Sequence, residues 1–484
     1  MREAKYPEGE SHVRLRFSPS GHFGSRSRPS AAGLTAAFSV TVPVHLRNLR
    51  HLRIVLKLRI RWVATRPILA SNSSMRRRLV LILGLAFLAH LGALIPAQVP
   101  DWYQWRGPNR DGHSAETGLL KEWPANGPRQ LWRAGGAGTG FSSFSASNGR
   151  LFTLGARDSV EYVIAFDATS GKKLWEVANG RRFRNEMGDG PRSTPTVEGD
   201  RVYAFGGSGE LACLDAATGK KLWSIDVVQR FGGNTPYWGY SESPLIVGDR
   251  IVLNAGGRRA SIVAIDKQDG KTLWQSHNDD AGYSSPMLLR TGSLQQVVFF
   301  TGQRALAVDP RDGRLLWSYN RASNNTANIA TPVVRGNRVF FSSDYGTGAA
   351  LLEVRAAGNI ASAQEVYFTR EMRNHHASSV VIGDHIYGFS SSILVALKFD
   401  TGEAAWKDRS VGKGSLIYAD DRLYLYSEGG VVGLADATPT GYRERGRFSI
   451  QQSGPPTWSH PIITNGKLII RDQDSVYAYD VKAK

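Results

Sequence analysis

An all-β fold, an eight-bladed β-propeller built from four-stranded antiparallel blades, is what this sequence predicts, on three observations. A tryptophan recurs at Trp132, Trp175, Trp223, Trp274, Trp317 and Trp406, at spacings of 43 to 51 residues with one final gap of 89. Hairpin turns recur in register with it: SNGR (147–150), EGDR (198–201), VGDR (247–250), RGNR (335–338), IGDH (382–385), ADDR (419–422) and TNGK (464–467). A second turn type precedes the tryptophans, as DATSGK (167–172), DAATGK (215–220), DKQDGK (266–271) and DPRDGR (309–314). Glycine supplies positive φ where the chain reverses, and Asp and Thr side chains bond the turn backbone.

One copy, residues 188–223, reads as four short strands. A single sheet of about forty residues cannot bury both faces, whereas copies stacked around an axis can. The gap of 89 hides a copy that has lost its Trp: TPVVRGNRVFF (331–341), ALLEV (350–354) and QEVYF (364–368). After Trp406 come one full copy (415–448) and three strands of another (458–480). The run QLWR at 130–133 is a fourth strand without its first three, so the chain ends should share the eighth blade. Closure of that kind removes exposed sheet edges.

The order along the chain then divides into four parts. Residues 1–74 show no repeat, are rich in Arg, Ser and Pro, and read as a disordered basic extension or as sequence upstream of the true start. Residues 75–97, MRRRLVLILGLAFLAHLGALIPA, have the layout of a secretory signal, and the mature chain is expected to begin near Gln98. The alternative is an uncleaved membrane anchor at 79–95. Either way, a periplasmic or secreted location is expected. Residues 98–128 form a cap segment, with Trp102, Trp105 and Trp123 packing it across one end of the propeller, and residues 129–484 form the propeller itself.

The formal charge of +18 could suggest nucleic acid, but it is concentrated at the N-terminus. Residues 1–74 carry 13 Lys/Arg against 3 Asp/Glu, and Arg76, Arg77 and Arg78 follow. A basic groove on the propeller, and so a nucleic-acid partner, is not expected. The single cysteine, Cys213, falls where other copies have Ala165, Ala264 and Ala307, and reads as a small buried residue.

Repeats A-x-D-x-x-T-G-x-x-x-W, seen with one change at 165–175, resemble the pyrroloquinoline-quinone (PQQ) repeat. That repeat occurs in quinoprotein dehydrogenases and in the propeller of the outer-membrane barrel assembly machine. WYQWRGPNRDG (102–112), FGGNTPYWGYSESPL (231–245), YGTGAALLEV (345–354), EVYFTREMRNHH (365–376) and WKDRSVGKGSLIYADDRLYL (406–425) are similar to PQQ-like propeller proteins labelled polyvinyl-alcohol-dehydrogenase-like. The resemblance implies either a non-catalytic binding scaffold or a PQQ-dependent alcohol dehydrogenase with Ca²⁺. No Cys follows the apolar stretch to carry a lipid anchor. A paired-cysteine motif, a C-x-x-C-H haem site and other catalytic fingerprints are also missing. The first class, an exported non-catalytic binding propeller, is therefore preferred.

Aligning the first strands places Ser143, Thr194, Ser243, Ser285, Thr331, Ser378, Ser415 and His460 at one level of the central channel. Small residues fit where eight strands crowd the axis; a ring of hydroxyls facing a ligand is the other reading. Just upstream, at the expected channel mouth, stand Arg192, Trp238, Tyr240, Glu242, Tyr283, Asn328, Asn374, His375, His376, Lys413 and Trp458. Together with His460 they are the candidate ligand-binding set. Variation imposed on a regular repeat is where a site is grafted. The chemistry suits an unidentified small molecule, a polysaccharide or a protein, and PQQ among them, with Glu242 the candidate carboxylate base. No metal is expected at His375 and His376, because adjacent side chains on extended backbone point apart.

Overall fold

The computed structural model describes residues 102–483, together with two short strands further upstream. In the unit Met1–Pro96 the described element is an antiparallel ribbon of His12–Arg14 with Thr41–Pro43. The expected signal or anchor and nearly all of residues 1–74 lie outside the described residues. Among the described residues no helix is long and apolar enough to cross a membrane.

The unit Ala97–Lys484 contains eight antiparallel blades. Blade 1 is Ser145–Ser147, Arg150–Arg157, Val160–Asp167 and Lys173–Arg181; blades 2 to 7 repeat the same order of strands. Blade 5, the copy without a Trp, is Val333–Arg335, Arg338–Ser343, Gly348–Ala357 and Ile360–Thr369. Blade 8 takes Ile462–Thr464, Lys467–Asp472 and Ser475–Asp480 from the C-terminus and Gln130–Ala134 from the N-terminal side. Its seam is antiparallel, with Val476 opposite Ala134 and Ala478 opposite Trp132. Both chain ends are thus zipped into one sheet. A one-turn helix, Val227–Phe231, is inserted after blade 2, capped by the Asp226 carboxylate on the Gln229 amide and by Gly232 in the left-handed region.

The recurring turn and tryptophan form one device. Each Trp lies opposite a small residue of the third strand (Trp175 on Ala165, Trp223 on Cys213, Trp274 on Ala264), and a bulge follows at once. The rings of Trp132, Trp175, Trp223 and Trp274 then lie against the turn glycine of the next blade. A Cβ on Gly219 would sit 2.8 Å from the Trp175 ring, and one on Gly270 would sit 2.8 Å from Trp223. Indole N–H groups reach the same turns: Trp175 Nε1 donates to Ala216 O at 3.3 Å and Trp274 Nε1 to Pro310 O at 2.9 Å. The glycine is therefore required twice, for φ near +75° and for the ring against it. Gly219→Ala should destabilise the protein by about 2 kcal/mol, adding left-handed strain to overpacking. A urea midpoint unchanged from wild type would contradict that.

Two blades lack the Trp and solve the wedge differently. In blade 5 Tyr367 takes the position, opposite Leu351, and its hydroxyl donates to Phe399 O at 3.0 Å in the next blade. In blade 7 the position is Gly446, and a Cβ there would strike Trp123. Trp123, from the segment before the propeller, lies there instead, 5.9 Å from the Tyr424 ring and 5.5 Å from Phe448. Cys213 is fully buried, and burial pushes its thiol up to about 11.

Candidate functional site

The first strands line the axis and touch their neighbours around the ring: Ser145–Ser147 meets Thr196–Glu198, and Met287–Thr291, Val333–Arg335, Val380–Ile382 and Gly414–Ala419 follow one another. Residues 102–116 cross this axis from one end. Ala146 N donates to Trp102 O at 2.8 Å and Val197 N to Tyr103 O at 2.7 Å. Trp105 Nε1 donates to Thr331 Oγ1 at 2.9 Å, and its ring lies 4.6 Å from His460. Arg106 donates to Ser379 O at 2.6 Å, and Arg110 to Ser243 O at 2.8 Å and Pro244 O at 3.1 Å. His113–Ser114 then adds a parallel strand to Tyr418 and Ala419 of blade 7. The segment is a plug, with two buried guanidiniums satisfying carbonyls at the first strands of blades 6 and 3.

The hydroxyl level has a role that neither sequence reading described. Thr194 N donates to Ser243 Oγ at 2.9 Å, Ser243 N to Ser285 Oγ at 2.9 Å, and Thr331 N to Ser378 Oγ at 2.8 Å. Ser143 Oγ donates to His460 O at 2.6 Å across the closure. The hydroxyls of Ser143, Ser243, Ser285 and Ser378 each stitch one blade to its neighbour, while Thr331 Oγ1 accepts from the Trp105 indole.

Of the twelve candidate residues, five lie in the scaffold. Tyr240 is buried on Phe205, and its hydroxyl donates to Ala255 O at 2.8 Å. Glu242 is buried, accepts Asn254 N at 2.7 Å, and is pushed well above the usual carboxylate range by burial, with Arg110 and that amide opposing. Asn328 donates to Thr301 O at 2.9 Å, and Asn374 donates to Phe389 O at 2.9 Å. His460 is buried against Trp105. The position upstream of a first strand was a poor guide here, because the loops turn inward: four of these groups satisfy nearby backbone, and the His460 ring packs on Trp105.

The other seven are brought together in a rim. Arg192 lies over the Phe141 and Phe183 rings at 5.1 and 5.2 Å and donates to Gly190 O and Gly188 O. Burial lowers its guanidinium to about 10, with Glu161 opposing, so it stays charged. Tyr283 feels Arg192 and Tyr345 electrostatically and lies 5.4 Å from Trp238. His375 accepts or donates at Nε2 to the Tyr345 hydroxyl at 3.0 Å. His376 lies 5.9 Å from His375 and 6.3 Å from Trp458, whose ring is 4.7 Å from Phe141. The rim therefore runs back to Arg192. Glu428 anchors one side: Trp458 Nε1 donates to its Oε1 at 2.8 Å, and Lys413 Nζ lies 3.0 Å from the same oxygen.

Phe141, Phe183, Tyr345 and Glu428 were not among the sequence candidates. Tyr345 and Glu428 sit in turns between second and third strands, DYGTG and SEGG, which open on the same end as the loops before the first strands. That pairing of loop sets follows from the blade connectivity and was readable in principle. The bend at residues 375–377 also removes the premise that kept the two histidines apart, since alternation holds only on extended backbone.

A closed ring of eight such blades is an eight-bladed β-propeller. The family model described as "Outer membrane protein assembly factor BamB" matches residues 159–408, and the chain belongs to this PQQ-like β-propeller family. No curated protein matches it in sequence. Among solved structures it is similar to BamB from Moraxella catarrhalis, at 15% identity and TM-score 0.53, over 73% of this chain and 99% of that one. It is also similar to a europium-containing methanol dehydrogenase, at 11% identity and TM-score 0.58, over 78% and 89%. The quinohemoprotein alcohol dehydrogenase from Comamonas testosteroni aligns at 12% identity and TM-score 0.55, over 80% and 81%. At these identities the structures establish a shared fold.

The described residues do not fit PQQ with Ca²⁺. Calcium takes six to eight oxygen ligands. The candidate carboxylate, Glu242, is buried and bonded to backbone, and the rim carboxylate, Glu428, has two imidazoles beside it in place of further carboxylate oxygens.

Proposed function

We propose that this chain is an exported, non-catalytic propeller that binds a partner at the rim. The observation that carries the reading is the run of contacts from Arg192 through Phe141, Trp458, His376 and His375 to Tyr345, with Trp238 packed on Tyr283, over a plugged axis. Tyr345 is exposed and Trp238, Tyr283 and Trp458 are half-buried; aromatic faces so placed stack on sugars or side chains, and Arg192 and Lys413 attract anionic groups. The partner is a small molecule, a polysaccharide or a protein. The signal-like layout of residues 75–97 supports export, and the matched family's description, concerned with outer-membrane protein assembly, supports a scaffold.

The test has two arms. Polysaccharide and peptide arrays are probed with wild type and with Trp458→Ala. A binder whose signal falls at least tenfold in the variant supports the reading, as expected for a central aromatic anchor. In parallel, PQQ and Ca²⁺ are titrated into the protein, following absorbance and alcohol-dependent dye reduction. Stoichiometric PQQ binding with turnover overturns the proposal in favour of the dehydrogenase.

A further inference from the structure

We infer that His375, His376 and Glu428 form a binding site for a divalent transition-metal ion of the zinc type, with one coordination position open to the rim. One ligand atom from each of the three lies within 4.8 Å of the others. The inference goes beyond the proposed function and stands whether or not the rim takes a partner.

The donor set is specific in its chemistry. Two imidazoles and a carboxylate are borderline nitrogen and oxygen ligands, suited to Zn²⁺ and poorly suited to Ca²⁺ or Mg²⁺. Three protein ligands with a free fourth position are the pattern of an accessible zinc site rather than a closed structural one. The geometry is close to what an ion requires. Bonds of about 2.1 Å in a tetrahedron set ligand atoms roughly 3.4 Å apart. His376 Nδ1 already lies 3.4 Å from Glu428 Oε1.

A second observation points to the same place. The His376 side chain is only 9% exposed, yet neither of its ring nitrogens makes a hydrogen bond. Buried polar groups in folded proteins are nearly always partnered, so an imidazole with both nitrogens free and one aimed at a carboxylate calls for an explanation. A metal on Nδ1 supplies one of the two missing partners. Nδ1 of His375 is also buried without a hydrogen bond, while its Nε2 is held by the Tyr345 hydroxyl at 3.0 Å. That leaves the free nitrogen oriented by an outer partner, as metal-binding histidines usually are. Glu428 has its own outer partner in Trp458 Nε1. Lys413 Nζ, 3.0 Å from Glu428 Oε1, occupies the carboxylate as a competing cation that an incoming ion displaces.

The experiment uses tag-free, chelator-treated full-length protein titrated with Zn²⁺ by calorimetry, with Co²⁺ as an absorbance reporter of coordination. The expected result is saturable binding of one ion per chain. His376→Ala and Glu428→Gln should each weaken it at least tenfold, with His385→Ala, a residue paired to Asp384 in the hairpin between the first and second strands of blade 6, unchanged. Lys413→Ala keeps all three ligands and should tighten binding several-fold, which also covers the case in which a ligand variant folds poorly. Absence of saturable binding to wild type, or equal affinity in wild type, His376→Ala and Glu428→Gln with native circular dichroism, overturns the inference.

Discussion

Arg471→Met is expected to lower the unfolding free energy by about 3–5 kcal/mol. Arg471 sits in Lys467–Asp472 of blade 8 and is 1% exposed. Its guanidinium crosses to the entry of blade 1. It donates to Ser142 O at 3.0 Å, Leu154 O at 2.6 Å, Ala137 O at 3.1 Å, Gly138 O at 3.0 Å and Thr153 Oγ1 at 2.8 Å, and to Gln473 O in its own blade at 2.9 Å. Burial lowers it to about 9, so the charge persists at neutral pH. Methionine fills similar volume but leaves these acceptors buried and unpaired, at about 1–3 kcal/mol for an unmatched group, though not additively. Lysine restores charge without the planar fork, so Arg471→Lys should recover only part of the loss. Guanidinium unfolding with an unchanged slope and a shifted midpoint is the measurement. A loss below about 1 kcal/mol would mean that the backbone seam alone closes the ring.

The place of that arginine was not legible in the sequence, although the seam it secures was. The pairing of Gln130–Ala134 with Ser475–Asp480 followed from counting strands, because three strands at one chain end and a lone fourth strand at the other have one solution. The turn glycines were legible as punctuation, but their contact with the previous blade's Trp was not, since it joins residues about 44 apart in sequence, as Trp175 and Gly219 show. Trp123 illustrates the limit more sharply. It completes blade 7 from some 320 residues away, and only Gly446 at the vacant Trp position hinted that another chain segment would enter. For the rim, the approach by first-strand alignment found Arg192, Tyr283, His375, His376, Lys413 and Trp458. It also selected Tyr240, Glu242, Asn328 and Asn374, whose polar atoms are used by neighbouring backbone. Sequence type alone does not separate a polar group facing solvent from one satisfying a loop.

A buried carboxyl beneath the rim should give the protein an unusual pH dependence. Glu161, in Val160–Asp167, is fully buried and accepts Phe183 N at 3.1 Å and Gly207 N at 2.9 Å, tying blade 1 to blade 2 and to the loop that carries Arg192. Burial raises it to about 7, against those two amides and the nearby Arg192 and Arg182. An unfolded glutamate titrates near 4.3. The native state therefore holds the proton more tightly than the unfolded chain. Its contribution is complete below about pH 4 and is lost as pH rises toward and through 7, amounting to about 3 kcal/mol. Buried His376 and His460 act in the opposite sense, since both are held neutral by burial and lose stability as pH falls below about 6.5. Comparison with Glu161→Gln cancels those terms, because the variant keeps an oxygen for the amides and cannot ionise. Denaturation across pH 4 to 8 should show the variant gaining about 3 kcal/mol on wild type between the two ends. Parallel curves would mean that the two amides and Arg192 already stabilise the carboxylate enough to offset its burial. Glu161 would then be a permanent counter-ion holding Arg192 at the rim, and the charge presented there would be fixed across the whole range.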